Sequence, residues 1–331
     1  MKLKSLIIPG VIAILMATLW IIPSKDEAKA HQKTVAITQI VDHPSLNQAR
    51  AGLLDALQDA GFVKDDNLQV LYQTPQGNLS VGAQIAKSYN QLKPDAIVAI
   101  STTSAQTVLA SNQAHLPIVF SSVTDPLSAK LISNLEHPGA DITGTMEAPP
   151  IEALLLLADE LLPQAKTIGV IYNPGEANSV NTIKLIEKLS KYKVLKATVL
   201  NSADITQSVN SLIDKVDVLI LPSDNTVWSA LDKLISICNQ HQVPVLTCDP
   251  DSANKGVMVA LGYAQYDIGY DAGKKVARIL QGENPGNIPV SVPNKLSLYI
   301  NLDSASKVNM TISESLLTKA DKVISTNEAR R

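Results

Sequence analysis

A strand that runs into a short polar loop and then into a helix occurs twice in this chain, and this pattern restricts the fold more than any other feature. Val35-Ala36-Ile37-Thr38-Gln39-Ile40-Val41 leads to Asp42-His43-Pro44-Ser45 and then an amphipathic run over 46–60. Thr167-Ile168-Gly169-Val170-Ile171-Tyr172 leads to Asn173-Pro174-Gly175-Glu176-Ala177-Asn178-Ser179 and then a helix over 180–190. The two units lie about 130 residues apart, the length of one α/β domain. Ligands of open parallel sheets sit outside the carboxyl ends of the strands. Two such halves can therefore face each other across a cleft.

Strand and helix signals alternate through both halves. Strands are expected at 68–72, 95–100 and 117–120 in the first half, and at 195–200, 216–221 and 243–247 in the second. Helices are expected at 80–92, 105–113, 206–215 and 227–240. Short continuous apolar runs between helices indicate parallel strands buried on both faces. After Gly256 the order changes, with strands at 257–261, 288–292 and 298–301 and a long helix at 267–280. The tail 303–323 reads as helical with a break near Asn309. No flexible linker separates the halves, so the chain is expected to cross between lobes several times through ordered strands. The fold class is α/β, with two doubly wound parallel-sheet lobes joined by a multi-strand hinge. Lobe 1 is expected at 31–144 plus 264–286, lobe 2 at 145–263 plus 287–323, and a disordered tail at 324–331.

At 331 residues the chain can bury two full cores. A net charge of −3 carries no basic bias and argues against nucleic acid as a partner. Arginine occurs only at positions 50, 278, 330 and 331, so bidentate arginine clamps on an anion have few sources. Lys2 and Lys4 precede an apolar run over 6–23, and Ala28-Lys29-Ala30 follows. That order fits an export signal, with an uncleaved anchor as the alternative. Either places the globular part outside the cytoplasmic membrane, in the periplasm. Cys238 and Cys248 fall at opposite ends of a helix–strand pair, too far apart to bridge, and are expected as buried free thiols.

The candidate ligand contacts lie in the loops after strands. Ser101, Thr102 and Thr103 open a helix, where free N–H groups and hydroxyls suit a carboxylate. Helix capping alone also accounts for them. Asp125 and Asp224 can each accept from a ligand ammonium or can form turns. Glu176, Asn178 and Ser179 occupy the second-half counterpart of the His43 loop. His43 has no neighbouring histidines in the spacing a zinc site requires. Trp228 and Tyr263 can stack on a ligand or pack at the interface between lobes. No nucleophile elbow, phosphate loop or dinucleotide fingerprint is present. A binding role is therefore expected in place of catalysis, with no cofactor and no metal.

Several of these runs together resemble a known family. Gln39-Ile40-Val41-Asp42-His43-Pro44-Ser45-Leu46, Val123-Thr124-Asp125-Pro126, Tyr172-Asn173-Pro174-Gly175-Glu176-Ala177-Asn178-Ser179, Pro222-Ser223-Asp224-Asn225-Thr226-Val227 and Gly262-Tyr263-Ala264-Gln265-Tyr266-Asp267-Ile268-Gly269-Tyr270 are similar to ABC transporter substrate-binding proteins of the tryptophan/tyrosine-type group. The resemblance covers 33–323. It implies a type I periplasmic-binding fold with a three-strand hinge, and a monomer that delivers a small amino acid-like ligand, aromatic amino acids included, to a membrane permease. The contacts it implies are His43, Ser101, Thr102, Thr103, Thr124, Asp125, Glu176, Asn178, Ser179, Asp224, Asn225 and Tyr263. Ser101 to Thr103 would hold the carboxylate, and Asp125, Glu176 or Asp224 the ammonium. Asn178 and Asn225 would complete the polar shell. The alternatives are a membrane-anchored sensing domain and a sugar- or nucleoside-like ligand. Two segments depart from the family pattern, Met146-Glu147-Ala148-Pro149-Pro150 and Cys248-Asp249-Pro250-Asp251, and both lie close to the expected cleft.

Overall fold

Strands such as Ala96–Ile100 (AIVAI), buried at every position, can only sit in a sheet covered on both faces. The computed structural model describes residues 32–326 and arranges its strands in two such sheets. The first contains β1 (Lys33–Gln39), β2 (Leu68–Gln73), β3 (Ala96–Ile100), β4 (Ile118–Val123) and β5 (Ile142–Met146), in the order β2-β1-β3-β4-β5. All of its pairings are parallel. The second contains β6 (Thr167–Tyr172), β7 (Lys193–Thr198), β8 (Val218–Leu221), β9 (Val245–Thr247), β10 (Val259–Gly262), β11 (Ser297–Asn301) and β12 (Lys322–Ile324). Its order is β12-β11-β10-β9-β8-β6-β7, and only β10 and β11 run antiparallel.

Helices α1 (Pro44–Asp59), α2 (Leu79–Leu92) and α3 (Thr102–Ser111) cross over in the first lobe. The second lobe carries α4 (Ile151–Leu161), α5 (Ala177–Leu189), α6 (Ile205–Leu212), α7 (Asn225–Trp228) and α8 (Leu231–Gln240). Helix α9 (Gln265–Leu280) follows a strand of the second lobe yet packs into the first. Its Ala272 and Val276 share a core with Val35, Ile37 and Leu53. Glycines make the approach possible. A Cβ on Gly269 would stand 1.8 Å from the Ala49 carbonyl oxygen, and one on Gly52 2.1 Å from that of Tyr266.

The chain thus passes between lobes three times, at 147–150, 263–264 and 292–296. Lys275 ties these passages together on the first lobe. Its buried ammonium donates to the carbonyls of Gly144 (2.6 Å) and Pro289 (3.0 Å) and to Ser291 Oγ (2.6 Å). Thr143 Oγ1 adds a bond to the Ile288 carbonyl at 2.6 Å.

Several expectations need correcting. Residues 288–291 lie against β5 in the first lobe, although 287 was expected to open the second-lobe segment. They form one bridge, Ser291 to Thr145, where a strand was expected. Pro289 and Pro293 remove the N–H groups a ladder needs. Strand β5 and helix α4 had no counterpart in the sequence reading; β5 (ITGTM) is short and weakly apolar, whereas α4 (IEALLLLADEL) has an apolar run that was passed over. The helix expected over 227–240 is broken at Ala230 into α7 and α8. The tail forms two short helices, α10 (Leu302–Lys307) and α11 (Glu314–Lys319), and then β12, which pairs with β11. Ile324 is part of that pairing, so the chain is ordered there, and 327–331 lie outside the described residues. The expected signal segment at 1–30 lies outside them as well. Cys238 and Cys248 are buried free thiols.

Candidate functional site

The loops at the carboxyl ends of both sheets converge on one small cavity of about 20 Å³. The first lobe contributes His43, Ser45 and Leu46 after β1, Ser101 and Thr102 after β3, and Ser122 and Thr124 at the end of β4. The second lobe contributes Asn178, Ser223, Asn225, Trp228 and Asp249. Glu147 and Gln265 come from the crossing segments. No lysine or arginine is among these residues. Two wider grooves of about 340 and 440 Å³ flank the cavity. The first shares His43, Ser45 and Trp228 with it, and the second shares Asn225.

Local chemistry fixes most of the side chains. His43 caps α1 through Nδ1, which accepts from the Leu46 N–H at 3.5 Å. Burial pushes its imidazole down to about 4, opposed by Asn225 and then by the charge of Asp42. The ring is therefore neutral at pH 7, with its proton on Nε2. Ser101 caps α3 at φ +94°, where its Oγ accepts from the Ser104 N–H at 3.2 Å. This turn presents the α3 N-terminus and the Thr102 hydroxyl to the cavity.

Four buried polar atoms on the cavity wall have no hydrogen-bond partner within the protein: His43 Nε2, Thr102 Oγ1, Thr124 Oγ1 and Asn178 Oδ1. Each such group costs about 1–3 kcal/mol when left unpaired. Three can donate and one can only accept.

Of the twelve residues expected at the site, His43, Ser101, Thr102, Thr124, Asn178 and Asn225 line this cavity. Thr103 and Glu176 line the larger flanking groove instead. Ser179, Asp125, Asp224 and Tyr263 line neither the cavity nor either flanking groove. The three acids proposed to hold an ammonium are committed elsewhere. Asp125 accepts from the N–H groups of Leu127 (3.1 Å) and Ser128 (3.0 Å) within its own turn. Asp224 caps α7, accepting from the Val227 N–H at 2.9 Å, the Asn173 N–H at 2.6 Å and Ser179 Oγ at 2.6 Å. Burial, and then the charge of Glu176, push Asp224 up to about 7. Glu176 accepts from the backbone N–H groups of Asn225 and Thr226, each at 3.0 Å, and from the side chains of Asn225, Thr226 and Asn178. Asp125 thus fixes a first-lobe turn, and Asp224 and Glu176 hold the second-lobe loops in shape.

The acids on the cavity wall are Glu147 and Asp249. Glu147 Oε1 accepts from Ser223 Oγ at 2.6 Å. Burial pushes its carboxyl up to about 7, opposed by bonds from Ser223 and Gln265. Asp249 Oδ2 accepts from Ser45 Oγ of the opposite lobe at 2.5 Å. Burial raises Asp249 well above the carboxylate range, and the charges of Asp251 and Glu147 add to the rise. Both acids lie in the two segments that depart from the family pattern. That departure was the available signal for them, since neither follows a strand of the doubled unit. Ser45, Leu46, Ser122, Ser223 and Gln265 were not expected as contacts. Ser45, Ser122 and Ser223 lie in loops already singled out, whereas Gln265 opens α9 beyond a crossing. Among the described residues, no group of three or more His, Cys, Asp or Glu is placed to hold a metal ion.

Two doubly wound lobes, three crossings and a polar cleft between the strand ends define a periplasmic-binding fold. Residues 34–324 match the family model for the ABC transporter substrate binding protein, and the chain belongs to that family. It is 33% identical over 322 residues to a tyrosine-binding protein of Clostridioides difficile, covering 93% of this chain and 92% of that one. It superposes on a conserved domain protein of Vibrio cholerae with a TM-score of 0.86 and 38% identity, over 88% of this chain and 99% of that one. An ABC domain from Streptococcus pneumoniae in complex with L-Trp gives a TM-score of 0.85 at 28% identity, over 88% of this chain and all (100%) of that one.

Proposed function

We propose that this protein captures an aromatic amino acid between its lobes and hands it to an ABC permease from outside the cytoplasmic membrane. The observation that carries this is the set of four buried, unpartnered polar atoms converging on one cavity between the lobes. A ligand with both acceptors and donors recovers their desolvation cost, and an amino acid has both. Thr102, Thr124 and the His43 Nε2–H suit a carboxylate at the α3 N-terminus. Trp228 and Leu46 supply apolar wall. The relatives support the aromatic class, one being named as tyrosine-binding and one solved with L-Trp.

The cavity as it stands has room for about one water molecule. Entry of an amino acid therefore requires the lobes to part at the three crossings and close again, a hinge motion. Export by the segment at 1–30 belongs to this proposal, and no helix among the described residues is long and apolar enough to cross a membrane. Thermal-shift and calorimetric titration with L-tyrosine, L-tryptophan, other amino acids, sugars and nucleosides tests the reading. Stabilisation by the two aromatic amino acids above all others is expected. Stabilisation by a sugar or nucleoside, with none by any amino acid, would overturn it. Loss of aromatic amino acid uptake on deletion of the gene, restored by the intact chain, tests the coupling to import.

A further inference from the structure

Glu147 and Asp249 are the two acids of the central cavity, at 3% and 1% exposure, and the cavity wall has no lysine or arginine to balance them. We propose that the pair forms the seat for the ligand's ammonium group, and that arrival of the ammonium expels to solvent a proton that the pair otherwise holds. This rests on the reading of the cleft as an amino-acid site. It assigns the cationic end of the ligand to residues outside the doubled strand-end loops.

The surroundings of each acid show why. Glu147 meets Ser223 from the second lobe and Gln265 from the start of α9. Asp249 meets Ser45 from the start of α1, and its own loop brings Asp251 close. Cys248 lies beside both acids, and its thiol is held well above its ordinary range by burial and by their charges. His43, on the facing lobe, is neutral. Lys233 and Lys255 line the adjoining groove, outside the cavity, and the cation whose charge reaches this group of acids is Lys322. It acts on Asp251, and its Nζ is engaged by Asn254 Oδ1 at 3.0 Å. The packed elements therefore offer hydroxyls, amides and further negative charge, but no counter-ion.

Two buried carboxyls that feel each other's charge cannot both ionise cheaply, so at neutral pH the pair retains a proton. An ammonium placed between them reverses this balance. The ligand stays protonated, both carboxyls become carboxylates, and the displaced proton leaves to buffer. The Ser45–Asp249 bond links the lobes, so closure buries the seat as the ligand fills it. Asn178 Oδ1, the one acceptor-only atom among the four unpartnered groups, lies on the same wall for a third ammonium hydrogen.

Calorimetric titration of the full chain at pH 7 tests this, with L-tryptophan and L-tyrosine and the des-amino analogue of each as probes. Each titration is run in two buffers of different ionisation enthalpy. The amino acids should release about one proton per molecule bound, read from the buffer dependence of the heat. The des-amino analogues should release none and bind about 100-fold more weakly, the cost of leaving a buried charged site without its partner. Glu147→Gln and Asp249→Asn should narrow the gap between amino acid and analogue, with folding checked by circular dichroism. The wild-type titrations stand even if a variant fails to fold. Equal affinities for amino acid and analogue, or heats independent of buffer, overturn the seat while leaving the ligand class intact. Binding of neither overturns both.

Discussion

Thr102 and Thr124 hold buried hydroxyls that bond to nothing in the protein. Such groups cost stability in the free protein and are useful only to a ligand. Thr102→Val and Thr124→Val should therefore leave the free protein as stable as before or up to about 1 kcal/mol more stable by urea denaturation, while weakening ligand binding about 10-fold or more. A merely structural threonine would behave in the opposite way. Glu147 gives a pH signature. Its folded value near 7 lies above its ordinary 4.5, so the folded state holds a proton that the unfolded chain loses between those values. The stability it contributes is complete below about pH 4.5 and is lost as pH rises through 7. Glu147→Gln removes that loss. The variant should gain about 3 kcal/mol over wild type at pH 8 and nothing at pH 4.5, measured by denaturation at both. At this scale much of the site was legible. His43, Ser101, Thr102 and Thr124 follow strands of the first half, and position at a strand end pointed to them. Asp125, Glu176 and Asp224 are also in those loops, but a carboxylate at a helix start or turn can be consumed by local N–H groups. Sequence does not distinguish an acid that caps from one that waits for a ligand.

At the scale of elements, helix α9 is decisive. It begins at a second-lobe strand and completes the first lobe, and Gly52, Gly269 and Gly273 let it lie directly on α1. Gly269→Ala would drive a methyl group into the Ala49 carbonyl. It should destabilise the protein by about 2–3 kcal/mol in urea, as overpacking does, with no change in the chemistry of the cleft. Lys275 anchors the crossings from the same helix. Lys275→Met should cost about 2 kcal/mol, because the buried Gly144 carbonyl and the partly buried Pro289 carbonyl and Ser291 hydroxyl lose a charged donor. The helix itself was legible from its apolar spacing. An amphipathic face does not name the surface it covers, so the contact with α1 came only from the fold. Strand β5 escaped notice because Gly144 and three threonine or methionine positions give no apolar run.

For the whole molecule, the proposed capture requires the two lobes to move about the three crossings. The Ser45–Asp249 bond crosses from one lobe to the other. Ser45→Ala should shift the free protein towards a more extended form in small-angle scattering, and saturating L-tryptophan should compact wild type more than the variant. A radius of gyration unchanged by either would count against hinge closure. The division of labour between sequence and fold has a physical basis. Periodicity and strand-end position are local properties, so the sequence by itself determined the two α/β halves, the cleft between their strand ends and the hydroxyls and histidine on its rim. Burial, the absence of a counter-ion and the pairing of distant acids depend on what the folded chain brings together. Only the tertiary structure decided that Glu147 and Asp249, about 100 residues apart, share one cavity while Asp125 is spent on its own turn and Glu176 and Asp224 on tying two second-lobe loops together.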